Sequence, residues 1–392
     1  MNAQDMNAQA NEAPQAFASR VRRLQLSDFR SYAALDLPIS AQVVALTGEN
    51  GAGKTNVLEA LSLLTPGRGL RRADLADCAR EQGGGGWAVS IELDTHFGAL
   101  QLGTGIDPAT PDMPASRKYR IDREPVGSAR AFADHLRVVW LTPAFDGLFT
   151  GPAGDRRRFL DRLVLAVDAD HGSRVAALER ALRNRNRLLE DGLRDGAWLE
   201  AAERELAELA VAVAAARSDA LMRLGALIAE TRDESSPFPW AEVMLAGELE
   251  QRVLQEPALA IEEHYRALLR ANRGRDAAAG RTLIGPQASD LLVRHGPKGM
   301  EAARCSTGEQ KALLVGLVLA HARLVTIVSG MAPLVLLDEI AAHFDPRRRA
   351  ALYQNLEGLG AQVWLTGADP AAFAELGVKA ELLHVTPGSV KA

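Results

Sequence analysis

The segment Gly48-Glu49-Asn50-Gly51-Ala52-Gly53-Lys54-Thr55 limits what this chain can fold into more than any other. It fills every fixed position of the pattern G-x-x-x-x-G-K-[ST]. A short apolar run, Val43 to Thr47, precedes it, and Val57, Leu58, Leu61 and Leu64 follow at helical spacing until Pro66-Gly67. Strand, glycine-rich turn and helix in that order make a P-loop. Small residues let successive backbone N–H groups curl around a phosphate, and the helix N-terminus adds partial positive charge. In such a turn Lys54 reaches the β- and γ-phosphates, and the Thr55 hydroxyl ligates Mg²⁺. A chance glycine-rich turn is the bland alternative, and the flanking strand and helix argue against it.

Pro333-Leu334-Val335-Leu336-Leu337-Asp338-Glu339 supplies the complement. Four apolar strand residues deliver two acids to the carboxyl edge of a sheet, where open α/β folds bind ligands. Asp338 is the candidate Mg²⁺ holder, through the ion's water shell, and Glu339 the candidate for polarising an attacking water. Many strands end in acidic turns, so the pair means little without the P-loop. Together they read as an ATP site.

Cys305-Ser306-Thr307-Gly308-Glu309-Gln310 precedes a long apolar stretch that reads as helix from Gly308 to about Val328. Ser306 and Glu309 stand in the S-x-x-E relation of a capping box. The segment also resembles the signature of the ABC ATPase superfamily, usually Leu-Ser-Gly-Gly-Gln, with Thr307 and Glu309 as variants. The two readings are compatible, because a helix N-terminus that caps itself still offers N–H groups and a serine hydroxyl to a γ-phosphate. The resemblance places Ser306, Gly308 and Gln310 on nucleotide and makes Asp345 a D-loop residue. It implies an α/β fold, an ABC-type P-loop ATPase head with an inserted helical domain.

The insertion shows in the residue pattern. Between Asp155 and about Asn272 strand signals disappear, and Leu199, Leu206, Val213, Ala220 and Leu227 fall seven apart. A helix in a small bundle accounts for that stripe, since a long coiled coil needs far more heptads. The expected organisation is a disordered polar tail over 1–20, the first part of the head over 21–150, helices over 151–280, and the rest of the head over 281–385. Strands are expected at Val21 to Leu26, Trp87 to Leu93, Ala99 to Leu102, Leu136 to Leu141, Thr282 to Ile284, Leu291 to Arg294, Leu334 to Leu337 and Gln362 to Thr366, with loop at Thr104 to Ser116.

With 47% hydrophobic and 24% charged residues the composition is that of a globular protein, and a net charge of −5 excludes a histone-like polycation. Two distant cysteines, Cys78 and Cys305, argue against a disulfide framework or structural zinc and fit a reducing cytoplasm. The first twenty residues have no apolar h-region, so no signal peptide is expected. His321 and Arg323 interrupt the longest apolar stretch, Ala312 to Leu337, so two buried elements are expected there rather than a membrane span. The repeat of Met1-Asn2-Ala3-Gln4 at Met6 to Gln9 offers a second start position.

A large helical insert between P-loop and signature separates the chain from transporter subunits, and five further segments resemble one family. Leu26-Ser27-Asp28-Phe29-Arg30-Ser31-Tyr32, the extended P-loop with Asn56 and Leu58-Glu59, Arg156-Arg157-Arg158-Phe159-Leu160-Asp161, Arg185-Asn186-Arg187-Leu188-Leu189 and Ser306-Thr307-Gly308-Glu309-Gln310-Lys311 are similar to the RecF family of bacterial recombination mediators. The resemblance implies a weak DNA-dependent ATPase that forms an ATP-dependent homodimer on duplex DNA and single/double-strand junctions. RecR and RecO are the implied protein partners. It also makes Asn56 a nucleotide contact and Thr366 the γ-phosphate sensor. One departure is Gly285-Pro286-Gln287-Ala288-Ser289-Asp290, where the family has G-P-H-x-D-D, so no role of that histidine carries over.

DNA contact is expected through phosphates rather than stacked bases, because the basic clusters lack interleaved aromatics. The clusters are Arg68, Arg71 and Arg72; Arg117, Lys118, Arg120 and Arg123; Arg156 to Arg158; and Arg183, Arg185 and Arg187. Any one of them also reads as a solvated helix face. Arg347 to Arg349 fit a helix C-terminus or a dimer interface. Two other functions stay open at this point: a Rad50-like end-processing head, and a non-enzymatic DNA scaffold with a vestigial site.

Overall fold

The computed structural model describes residues 17–108, 116–192, 196–340 and 344–391. It divides into two compact units, one of residues 1–142 with 322–392 and the other of residues 143–321.

The first unit holds two six-stranded sheets. In one, the order is Ser389–Lys391, Ala380–Thr386, Val43–Thr47, Val363–Gly367, Leu334–Leu337, Val138–Leu141, and all neighbours are parallel except the first pair. Every residue of Val43–Thr47, Leu334–Leu337 and Val363–Gly367 is buried, which explains their unbroken apolar character: strands covered on both faces need no polar alternation. Adjacent Leu336 and Trp364, Thr366 and Leu46 align in register, so the carboxyl ends of three strands finish side by side. The other sheet is antiparallel, ordered Tyr32–Pro38, Arg20–Phe29, Trp87–Thr95, Gly98–Ile106, Arg117–Ile121, Glu124–Pro125. Trp87, Val89 and Ile91 alternate inward with exposed or half-buried Ala88, Ser90 and Glu92, the half-buried pattern of a sheet with one solvated face.

The second unit is built on helices Ala153–Val167, His171–Glu190, Ala197–Glu230 and Ala258–Ala279. The sevenfold stripe lies inside: Leu199, Leu206, Val213, Ala220 and Leu227 are all buried. Leu206, Ala210 and Val213 pack with Leu178, Ile261 and Leu269 in one core, so the 34-residue helix is a bundle member. Buried ion pairs tie these helices. Asp161 takes both nitrogens of an Arg217 fork at 2.8 Å and His171 Nε2 at 2.8 Å. Burial alone would raise the Asp161 carboxyl, but the hydrogen bonds from His171 and Arg217 outweigh it and hold the group below its ordinary range.

Several expectations change. The polar tail is shorter at its inner end, since Phe17–Ala18 pairs with Met331–Ala332 and a strand begins at Arg20; residues 1–16 lie outside the described residues. The expected loop from Thr104 is strand as far as Ile106, and 109–115 again lie outside. Strand does occur within the helical stretch: Ala241–Ala246 pairs antiparallel with Asp290–His295. Thr282 to Ile284 is not strand. Its Thr282 N–H and hydroxyl are both taken by Asn186 Oδ1, at 2.9 and 2.8 Å. These bonds, with the Ala241–Ala246 pairing, group 281–321 with the helices where the residue pattern put it in the head. Among the described residues one helix, Thr307–Ser329, is long and apolar enough to cross a membrane, and most of its length is buried within the protein.

Candidate nucleotide site

Two glycines shape the phosphate turn. Gly48 has φ +140, and a Cβ there would stand 2.3 Å from the Val385 carbonyl oxygen. Gly53 caps the helix Lys54–Ser62 at φ +112, where a Cβ would meet Ser31 Oγ at 2.8 Å. Only glycine fits either backbone. Lys54 is buried, with Nζ donating to Gly48 O at 2.8 Å and Glu49 O at 3.0 Å and lying 3.4 Å from Glu339 Oε1.

The acids arrive from the strand Leu334–Leu337, which is separated from Val43–Thr47 by Val363–Gly367. Thr55 Oγ1 donates to Asp338 Oδ1 at 2.9 Å, across 283 residues of sequence. Those oxygens are the hard donors that Mg²⁺ takes alongside water and phosphate oxygens, so Thr55 and Asp338 fit the ion. Glu339 follows at φ +54, a left-handed backbone that costs a residue with a Cβ about 1–2 kcal/mol. Its N–H donates to Thr366 Oγ1 at 2.9 Å, and that hydroxyl donates to Asp338 Oδ1 at 2.8 Å.

Behind the turn, the Arg30-Ser31-Tyr32 segment braces the helix. Tyr32 Oη donates to Gly53 O at 3.1 Å, and Asn56 Nδ2 donates to Ser31 Oγ at 2.9 Å. Glu59 is fully buried and takes Arg30 Nε and Nη2 at 2.9 and 2.6 Å and Arg71 Nη1 at 2.9 Å. Arg30 and Arg71 have no role at the site in the residue pattern. The available signal was Glu59 on the apolar face of a helix, where a buried carboxylate requires cations.

The signature residues stand in the second unit. Ser306 and Glu309 form the capping box: Glu309 Oε2 accepts the Ser306 N–H at 3.0 Å, and the Glu309 N–H points to Ser306 Oγ at 3.4 Å. The Lys298 ammonium at 2.5 Å and the Ser306 N–H hold the Glu309 carboxyl down at about 2. Gly308 is exposed in the first turn, and Gln310 is buried, donating to Cys305 O at 2.8 Å. Asp345 caps the helix Pro346–Gly358, accepting the Arg348 N–H at 2.9 Å. The structure thus brings Gly48, Glu49, Asn50, Gly51, Ala52, Gly53, Lys54, Thr55 and Asn56 together with Asp338, Glu339 and Thr366 within one unit.

The arginine clusters are sorted by burial. Arg185 is fully buried, and Arg156, Arg157 and Arg158 are engaged by Asp290, the Ser289 carbonyl and Asp155, so neither cluster as a whole presents itself to a phosphate backbone. Arg117 donates to the Gly67 carbonyl at 2.5 Å. Arg347 to Arg349 lie in the first turn of their helix, so of the two readings for them the C-terminal one does not apply to that helix. Arg120 and Arg123 are exposed and, with Lys118, border a groove of about 370 Å³ on the antiparallel sheet.

This fold and this pairing of P-loop with strand-end acids define an ABC-type ATPase head. Residues 20–388 match the family model of the RecF/RecN/SMC N terminal domain. The chain is 54% identical over 372 residues to the DNA replication and repair protein RecF of Mesorhizobium japonicum, covering 95% of this chain and 97% of that one. Its identity to the RecF of Rhizobium rhizogenes is 53% over 370 residues, 94% of this chain and 98% of the other. It belongs to the RecF family of DNA replication and repair proteins. Solved structures agree on the fold. The recombination mediator protein RecF-ATPrS in the RecFOR pathway superposes with TM-score 0.81 at 19% identity, covering 97% and 99% of the two chains. An SmcHead bound to the C-winged helix domain of ScpA gives 0.53 at 14% identity, covering 95% and 96%.

Proposed function

We propose that the chain is an ATP-dependent clamp or switch on DNA with slow, DNA-stimulated hydrolysis, working in the cytoplasm in recombinational gap repair and the SOS response. ATP joins two copies around duplex DNA near a single/double-strand junction, and the joined heads recruit RecR and RecO. The observation that carries this is Glu339 beside Lys54, at the end of the strand whose Asp338 already meets Thr55.

In that geometry Lys54 and the turn's N–H groups bind the triphosphate, and Asn56 and Ser31 hold the turn in shape. Thr55 and Asp338 would hold Mg²⁺, which would supply charge neutralisation on the phosphate oxygens. The Glu339 carboxylate takes a proton from the attacking water. Ser306 gives its helix N-terminus to the nucleotide of a second copy, so closure needs ATP and hydrolysis reopens the pair. For DNA, Arg120, Arg123 and Lys118 contact phosphates above a floor kept low by Ser90, Gly103 and Gly105. Lys118 is paired with Asp107, so its contribution requires that pair to part.

The composite site is tested by mixing two inactive proteins, Lys54→Met and Ser306→Arg. In a mixed dimer one site carries both lesions and the other none. Random pairing makes about half the dimers mixed, each with one good site of two, so ATPase recovers to about a quarter of wild type. If each chain completes its own site, every site keeps one lesion and no activity returns. The dimer reading would then be abandoned.

A further inference from the structure

Thr366 stands next to the last residue of its strand, bonded to both acids, and its one hydroxyl proton is used. A threonine hydroxyl has a single proton. That proton goes to Asp338 Oδ1 at 2.8 Å, and a lone pair of the same oxygen accepts the Glu339 N–H at 2.9 Å. The residue is 1% exposed, and Asp338 is 5% exposed. With its proton spent on Asp338, the hydroxyl has nothing left to donate to a γ-phosphate.

The bond to Glu339 falls at the point of backbone strain. Glu339 is one of the few residues with a Cβ at positive φ, and its φ of +54 turns the chain sharply after the apolar strand. Without an anchor on its N–H, that turn relaxes toward extended backbone, and the carboxylate swings off the line from Lys54. The register holds the anchor in place: Leu337 pairs with Leu365, so the next residues on the two parallel strands are Asp338 and Thr366. Asp338 Oδ1 receives two hydroxyls, from Thr55 at 2.9 Å and from Thr366 at 2.8 Å, which fixes the rotation of the carboxylate.

We infer that Thr366 is a positioning residue for hydrolysis, which clamps Glu339 in its left-handed turn and orients Asp338, and that it does not sense the γ-phosphate. This rests on the proposed ATPase reading, in which Glu339 is the base.

The test uses the full chain with Thr366→Val, nearly isosteric and at home in a strand, and Thr366→Ser, which keeps the hydroxyl. ATP and ADP affinities are read with a fluorescent nucleotide, turnover by phosphate release, and exchange of the Glu339 amide by NMR on protein labelled with ¹⁵N-glutamate. A base displaced by about 1 Å loses on the order of 100-fold in rate. Thr366→Val should therefore cut kcat by about 100-fold while ATP and ADP affinities stay within about threefold. The Glu339 amide should exchange faster, and Thr366→Ser should restore both. A selective loss of ATP over ADP affinity in Thr366→Val would make the residue a phosphate sensor and overturn the inference. So would unchanged kcat with unchanged exchange at Glu339. A wild type without turnover would defeat the ATPase reading alone, because amide exchange reports the clamp without catalysis.

Discussion

Arg185 lies in the second unit with no exposed surface, and its guanidinium is shared among four acceptors. Nε donates to Glu203 Oε1 at 3.2 Å, Nη1 to Asp276 Oδ2 and Thr282 Oγ1 at 2.8 Å each, and Nη2 to Leu269 O at 2.8 Å. Replacing it with Met keeps an unbranched apolar stem, shorter than the arginine, and removes every donor. Glu203 would keep Arg273, whose Nε and Nη2 stand 3.0 and 2.6 Å away. Asp276, also buried, would keep the Leu283 N–H at 3.1 Å but lose its arginine. The structure therefore loses the compensation of one buried carboxylate, which costs about 3–5 kcal/mol. A domain has only about 5–15 kcal/mol in total, so this is a large share. Two units need not unfold together, and hydrogen exchange in urea, read on peptides from 199–228, isolates the helical one. Adding Asp276→Asn removes the stranded charge while its amide oxygen can still accept from Leu283. The double variant should recover at least about 2 kcal/mol over Arg185→Met alone. A loss below about 1 kcal/mol in the single variant, or a further loss in the double, would refute the account of a charge held by its partner.

The remaining expectations concern a buried histidine and the acid pair. His321 is enclosed, with Nε2 donating to Leu163 O at 2.9 Å, and burial pushes its pKa down to about 4. A histidine lowered by folding contributes fully above its unfolded value, about 6.5, and that contribution fades as pH falls toward the folded value. The loss is on the order of 3 kcal/mol between those limits, and His321→Gln should flatten that limb of a urea-midpoint series run from pH 7 to pH 4.5; an unchanged slope would show that another group titrates. Glu339→Gln should bind ATP as wild type does and lose turnover by about 100-fold or more, whereas Asp338→Asn should lose the Mg²⁺ dependence of binding. Wild-type turnover in Glu339→Gln would move the base to another residue.

The features legible along the chain are those set by neighbours in sequence. Gly48 and Gly53 occupy fixed glycine positions of the P-loop pattern, and the structure gives them φ +140 and +112, where a Cβ would also collide with its neighbours. The Ser306-to-Glu309 spacing announces a cap that forms within one turn. The sevenfold stripe of Leu199 to Leu227 announces a buried face, and unbroken apolar runs announce strands covered on both sides. Each is decided within a few bonds of backbone geometry, so the residues alone carry it. Partnerships across long stretches of chain are another matter. Composition showed Arg156 to Arg158 and Arg183 to Arg187 as basic runs, and only packing showed which guanidinium groups were already spent on Asp290, Glu203 and Asp276. A charge looks the same in sequence whether its counter-charge is water or a carboxylate 91 residues away. Thr366 likewise reads as any strand-end threonine until the parallel register sets it beside Asp338 and Glu339, 28 and 27 residues earlier. Where a hydroxyl's one proton goes depends on which acceptor stands within 3 Å, and only the closed sheet decides that distance.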